Sequence, residues 1–339
     1  MGDAPGPRDE AEGAVEAIDE APTAPSLLAA SGDLTRLSSV ACEGLKASGT
    51  SLFFTDSGPD LFGNGRGSVY RQTKSGTPGA ETLLFDEPTT GDRFVSYGGI
   101  SVAQPGGALS AYWAANETLF SSGASHYQIR RLSIADGVVT VLADRPGVLR
   151  AGPETDGSFL YWAEEGGLFR QPVGGGTVTQ LVGLAPSQTA FALGLSPTHL
   201  YYATGGGVSR VPKAGGAVGA VLAGADVRNL HVVGSGTETQ VYYTDANAAV
   251  KRKNVGSGAT TTFFAGEAGR VARGVAFDGT RVLWLDEPAA GGPEFYRLQK
   301  VQGGVRTVLV TGTPRASALQ FDAANAFWCD QGGVMRYTH

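Results

Sequence analysis

The chain has little of what most catalytic and nucleic-acid-binding machinery is made from. Its 339 residues include only four histidines and two cysteines, and the histidines (His126, His199, His231, His339) fall at unrelated places in the sequence. A metal centre built from several imidazoles, or from a Cys-x-x-Cys pair, has no basis in such a set. Gly-x-Ser-x-Gly and Walker-type strings are also missing, so the sequence marks of a hydrolase nucleophile elbow and of a phosphate-cradling loop are not there. Cations are sparse: 26 Lys and Arg against 32 Asp and Glu leave a net charge of −6, and the one basic cluster is Lys251-Arg252-Lys253. A phosphate backbone would find no basic stripe, so no nucleic-acid partner is expected. No run of 18 apolar residues occurs, and no transmembrane segment is expected.

Glycine, by contrast, is abundant at 51 residues, and it separates short β-rich runs. In the stretch 190–223, the runs Ala190–Leu195, His199–Thr204, Val208–Val211 and Val218–Ala223 are divided by Ser196-Pro197-Thr198, Gly205–Gly207 and Lys213-Ala214-Gly215-Gly216. Glycine adopts the positive φ of tight hairpins without steric cost, so this reads as four strands joined by turns.

That unit recurs. Seven aromatic or apolar pairs are each followed, two positions on, by a small or acidic residue: Phe53-Phe54, Tyr112-Trp113, Tyr161-Trp162, Tyr201-Tyr202, Tyr242-Tyr243, Leu283-Trp284 and Phe327-Trp328. Nine to nineteen residues after each pair begins comes an arginine: Arg71, Arg131, Arg170, Arg210, Arg252, Arg297 and Arg336. The pairs are spaced 40 to 59 residues apart, the range of a four-stranded propeller blade rather than of a helical solenoid. The expected fold is all-β: a seven-bladed β-propeller of four-stranded antiparallel blades over residues 32–339. The seventh unit ends after its third strand, and Asp33–Ser38 reads as a strand. Pairing with Val334–Tyr337, it would complete the last blade and remove the open sheet edges.

Residues 1–31 form an acidic, Ala/Pro-rich, aromatic-free tail without the basic-then-apolar pattern of a signal peptide,. It reads as an acidic arm on a cytosolic protein or, preferably, as the start of an exported chain whose signal peptide has been removed. The second reading implies an extracytoplasmic location, in the periplasm or at the cell surface, with room for a lipid anchor on the native N-terminus. Ring closure would make the blades carrying Cys42 and Cys329 neighbours. Either the two form a disulfide that staples the ring, or both are small buried hydrophobes.

The motifs Phe53-Phe54-Thr55-Asp56 and Tyr242-Tyr243-Thr244-Asp245, with Gly67-Ser68-Val69-Tyr70-Arg71 and Val208–Gly216, resemble the YWTD-type propeller repeats of receptor ectodomains. They are still more similar to bacterial relatives in secreted proteins and lipoproteins. The resemblance covers residues 40–339 and implies a propeller that binds proteins. The receptor domains have six blades and this chain has seven, so their partner surfaces do not carry over.

Repeated residues see the same environment in every blade. The acids Asp56, Glu164, Asp245, Asp286 and Asp330 and the seven arginines are therefore expected to hydrogen-bond within and between blades, and the tryptophans to fill the core. Asymmetry points elsewhere. Three long connections, 57–66, 116–126 and 287–294, belong to blades 1, 2 and 6 and rise on one sector of one face, as binding loops on a rigid scaffold do. They offer Asp60, Leu61, Phe62, Phe120, His126 and Tyr127, with Phe295 nearby, while Arg93, Arg145 and Arg150 line the channel mouth. The function this implies is a non-enzymatic platform for a protein or cell-envelope component, with no cofactor. Two alternatives remain: a hydrolase or lactonase with an axial calcium near Asp226 and Asn229, and a structural subunit of a larger assembly.

Overall fold

A computed structural model describes residues 28–29, 33–57, 67–88, 93–185, 187–289, 296–312, 316–330 and 332–339. They form seven antiparallel sheets in consecutive blocks of chain: blade 1 over 44–86, then 93–146, 149–183, 192–223, 227–264, 270–312 and 317–338. Blade 7 takes its outer strand from the other end of the molecule. Leu34 pairs with Tyr337, Thr35 with Arg336 and Arg36 with Met335, which is the expected closing pairing. The innermost strands touch in ring order, and Ser317–Phe321 of blade 7 meets Gly44–Ser48 of blade 1, so the ring is closed. Just before the closing strand, Leu28 and Ala29 pair with Thr311 and Val310 and add a fifth strand to blade 6.

The recurring aromatic pair follows from strand geometry. Successive side chains on a strand point to opposite faces, and in a propeller the two faces of a blade meet different neighbours. The first member packs forward: Tyr112 joins the core between blades 2 and 3, Tyr161 that between 3 and 4, and Phe327 that between 7 and 1. The second packs backward, Trp113 against blade 1, Trp162 against blade 2 and Trp328 against blade 6. Seven hydrophobic cores, one per blade junction, result. All four tryptophans are fully buried.

The repeated arginine stands beside the first aromatic: Phe53 faces Arg71, Tyr112 Arg131, Tyr161 Arg170, Tyr201 Arg210, Tyr242 Arg252 and Phe327 Arg336. Blade 6 corrects the sequence reading. There Leu283 faces Lys300, whereas Arg297 lies opposite Asp286, so the repeated position holds a lysine and Arg297 belongs to a separate contact. In blades 1, 3, 5 and 7 the repeated acid lies at the opposite end of the strand from the arginine, near the next turn. Several of these arginines lock backbone instead: Arg170 donates to the Lys213 carbonyl of the next blade, and Arg336 to that of Lys74 at 3.0 Å.

Glycine at the start of the third strand has a specific cause. At Gly207 (φ +129°) an added Cβ would lie 2.0 Å from the Leu222 carbonyl oxygen, and at Gly333 (φ +123°) 2.0 Å from that of Ser38. The outer strand passes too close for any side chain there. Cys42 and Cys329 form a disulfide with Cα atoms 5.2 Å apart, across the junction of blades 7 and 1. Cys42 lies just before the innermost strand of blade 1, which starts at Gly44.

Candidate functional site

Blade 2 is longer than its neighbours at one end. Its four strands, Arg93–Ala103, Ser110–Leu119, Ser125–Ser133 and Val139–Pro146, have 11, 10, 9 and 8 residues. The corresponding strands of blade 4 have 4, 6, 6 and 5. Roughly four extra residues per strand, at about 3.3 Å each, carry the blade on the order of 13 Å past the ring. The sequence reading placed a loop at 116–126. Instead the strands continue to Leu119 and resume at Ser125, and only 120–124 turn the chain, with the Leu119 amide donating to the Ala124 carbonyl at 2.9 Å. The Ser121-Ser122-Gly123 cluster marks that turn,.

Each face of this projection is anchored by charge. On the side toward blade 1, Arg130 donates to Glu87 of blade 1 and to Glu117, the latter at 2.5 Å. Arg93 bridges the same two carboxylates at 3.0 and 3.1 Å, and the Tyr97 hydroxyl donates to Glu87 at 2.6 Å. Glu87, Glu117 and Arg130 are 5, 1 and 5% exposed, so this is a desolvated network whose two carboxylates are balanced by two guanidiniums. Burial, with the Glu87 charge and hydrogen bond, raises the Tyr97 hydroxyl far above the ordinary phenol range and keeps it a donor. His126 sits at the rim, 3.3 Å from Glu117 and 2.8 Å from Asp144. Burial works to raise the Asp144 carboxyl, but hydrogen bonds from His126 and Gln128 outweigh it and hold the group below the ordinary range.

On the side toward blade 3, Arg145 grips Glu164 with two prongs, at 2.9 and 2.6 Å. The Tyr127 hydroxyl also donates to Glu164 and accepts from Trp162 Nε1 at 2.8 Å. Tyr127 is fully buried, so it is an anchor of the projection and not one of its contact residues; alternation along an extended strand turns it inward, where a loop would have left it out. Arg93 and Arg145 are likewise committed to carboxylates, while Arg150 makes an exposed pair with Glu165. Phe120 alone of the expected apolar tips stands free among the described residues, 53% exposed at the turn. Asp60, Leu61, Phe62 and Phe295 lie outside the described residues. Glu87 and Glu117, central to the network, were invisible to a reading keyed to repeats, because they occur in one blade only.

Near the axis the same face opens into a cleft of about 450 Å³ lined by Arg228, Asn229, Asp245 and Arg273. It shares Asn229 and Arg273 with a channel pocket of about 280 Å³ walled by Leu193, Leu230, Val275 and Leu319. Asp226 pairs with Arg228, and the Asn229 amide donates to the Thr244 hydroxyl and the Ala272 carbonyl. Deeper in the channel, Lys46 and Glu154 pair at 3.2 Å. Among the described residues no three His, Cys, Asp or Glu side chains come together as metal ligands would.

No protein-family model and no curated protein matches the chain. Solved structures do: 660 chains match, among them BamB from Moraxella catarrhalis. That protein is 10% identical, with a TM-score of 0.52 over 94% of this chain and 99% of the other. The likeness establishes the propeller fold and, at that identity, nothing about the site. No helix among the described residues is long and apolar enough to cross a membrane.

Proposed function

We propose that this protein is a non-enzymatic binding platform that engages a protein of the cell envelope through the projecting end of blade 2, with YWTD-like repeats supplying the scaffold. One observation carries the reading: a blade extended on all four strands, braced on both faces by ion pairs to buried glutamates, and tipped by an exposed phenylalanine. A network that desolvates two glutamates is costly to assemble, and its effect is to hold the tip rigid, which lowers the entropy lost on binding. Export is supported by the Cys42–Cys329 disulfide, since such bonds persist in oxidising compartments,. An envelope location, with a lipid anchor on the native N-terminus, fits the acidic tail.

The test replaces Glu117–His126 by a two-residue turn and compares partner capture by the shortened and intact proteins, with thermal melts confirming that both remain folded. Partner lost by the shortened protein alone supports the platform. Equal capture by the two would place the interface elsewhere.

A further inference from the structure

On the opposite end of the ring, where the first strand of each blade turns into the second and the third into the fourth, two blade junctions share an ionic staple. Between blades 3 and 4, Lys213 pairs with Asp156 at 3.1 Å and lies over the Tyr161 ring, with its carbonyl held by Arg170. Between blades 7 and 1, Lys74 pairs with Asp322 at 3.1 Å and lies over the Phe327 ring, with its carbonyl held by Arg336. Both lysines stand three residues after the repeated arginine, and both acids cap the preceding blade's first turn.

The junction of blades 4 and 5 keeps the aromatic and the arginine, Tyr201 and Arg210, but not the staple. Val255 stands at the lysine position and Ser196 at the acid position. What remains is a cleft of about 250 Å³ lined by Tyr201, Arg210, His199, Thr237, Val255 and Gly256. Among the described residues Arg210, like Arg131, has no hydrogen-bond or ion-pair partner, unlike Arg71, Arg170, Arg252 and Arg336. Its charge reaches the cleft: together with burial it lowers the His199 imidazole below its ordinary range.

We propose that this cleft binds a small monocarboxylate with an apolar body. The guanidinium supplies a planar fork for the carboxylate, Thr237 in the lining carries a hydroxyl that can act as a further donor, and Tyr201 and Val255 form an apolar wall for the remainder. The volume equals that of about eight waters, which suits about nine non-hydrogen atoms.

Benzoate is the probe, read by saturation-transfer NMR and calorimetry, with benzylamine and inorganic phosphate as comparisons. Wild-type protein should bind benzoate with a dissociation constant of about 1 mM and give no signal with benzylamine. Arg210→Gln should weaken binding about tenfold or more. The double change Ser196→Asp with Val255→Lys rebuilds the staple inside the cleft, so it should abolish binding and raise the melting temperature. Equal benzoate binding by the variants, none by wild type up to about 10 mM, equal binding of benzylamine, or phosphate competing as well as benzoate would each overturn the proposal.

Discussion

His231 shows how far one residue's surroundings set its chemistry. It lies on the innermost strand of blade 5 with its ring edge-on to Phe321 at 5.3 Å. Burial, reinforced by the nearby Lys46 charge, pushes its pKa down to about 4 from 6.5. The unfolded chain therefore takes up a proton between pH 6.5 and 4 that the folded chain refuses. The stability from neutral His231 is fully present above pH 6.5 and is lost as pH falls through that window, by up to about 3 kcal/mol. Chemical denaturation of wild type and His231→Gln at pH 7 and 4.5 should show the gap between them narrow or reverse on acidification; a pH-independent gap would contradict this. Charged pairs should differ just as sharply by burial. Arg130→Met leaves Glu87 and Glu117 buried with only the more exposed Arg93 guanidinium between them and should cost about 3–5 kcal/mol. Arg150→Ala removes half of a pair whose side chains are 39 and 62% exposed and should stay within about 0.5 kcal/mol in the same denaturation assay.

At the scale of strands, the sequence was legible wherever a feature recurred and illegible where it did not. The aromatic pairs could be read because every blade repeats the same forward and backward packing, and the closing strand because the seventh unit lacks its fourth; the register of that strand comes from the structure. Two misreadings share a physical origin. In blade 6 the strand connection is long enough that counting to the nearest arginine found Arg297, while pairing register places Lys300 at the repeated position. In blade 2, template length suggested a loop after Ala115, yet the ladder runs on to the Leu119–Arg93 pair. The third-strand glycines supply a test at this scale. Gly207→Ala combines positive φ with a backbone clash and should destabilise by about 2–4 kcal/mol, whereas Gly205→Ala, which meets nothing within 4 Å, should be nearly neutral. Thermal melts of the two variants would separate close strand approach from turn flexibility; equal losses would contradict the account.

For the whole molecule, closure rests on two devices that span nearly the full chain: the Asp33–Ser38 strand and the disulfide, whose cysteines are 287 residues apart. Cross-linking so long a loop stabilises by about 6 kcal/mol at most in the chain-entropy view, or about 8 °C in Tm for a chain this size. Reduction should lower Tm by up to that amount with the ring still formed, since the strand register does not depend on the sulfur bridge. Rigidity of the ring is what makes a single elongated blade a usable contact surface. The most direct measurement is therefore site-specific photocrosslinking in the native envelope, from position 120 at the blade 2 tip and from Val305, 66% exposed on the opposite end of blade 6. A discrete adduct from position 120 and none from 305 is the predicted result; the same adducts from both positions, or one from 305 alone, would contradict the assignment of the binding surface to blade 2.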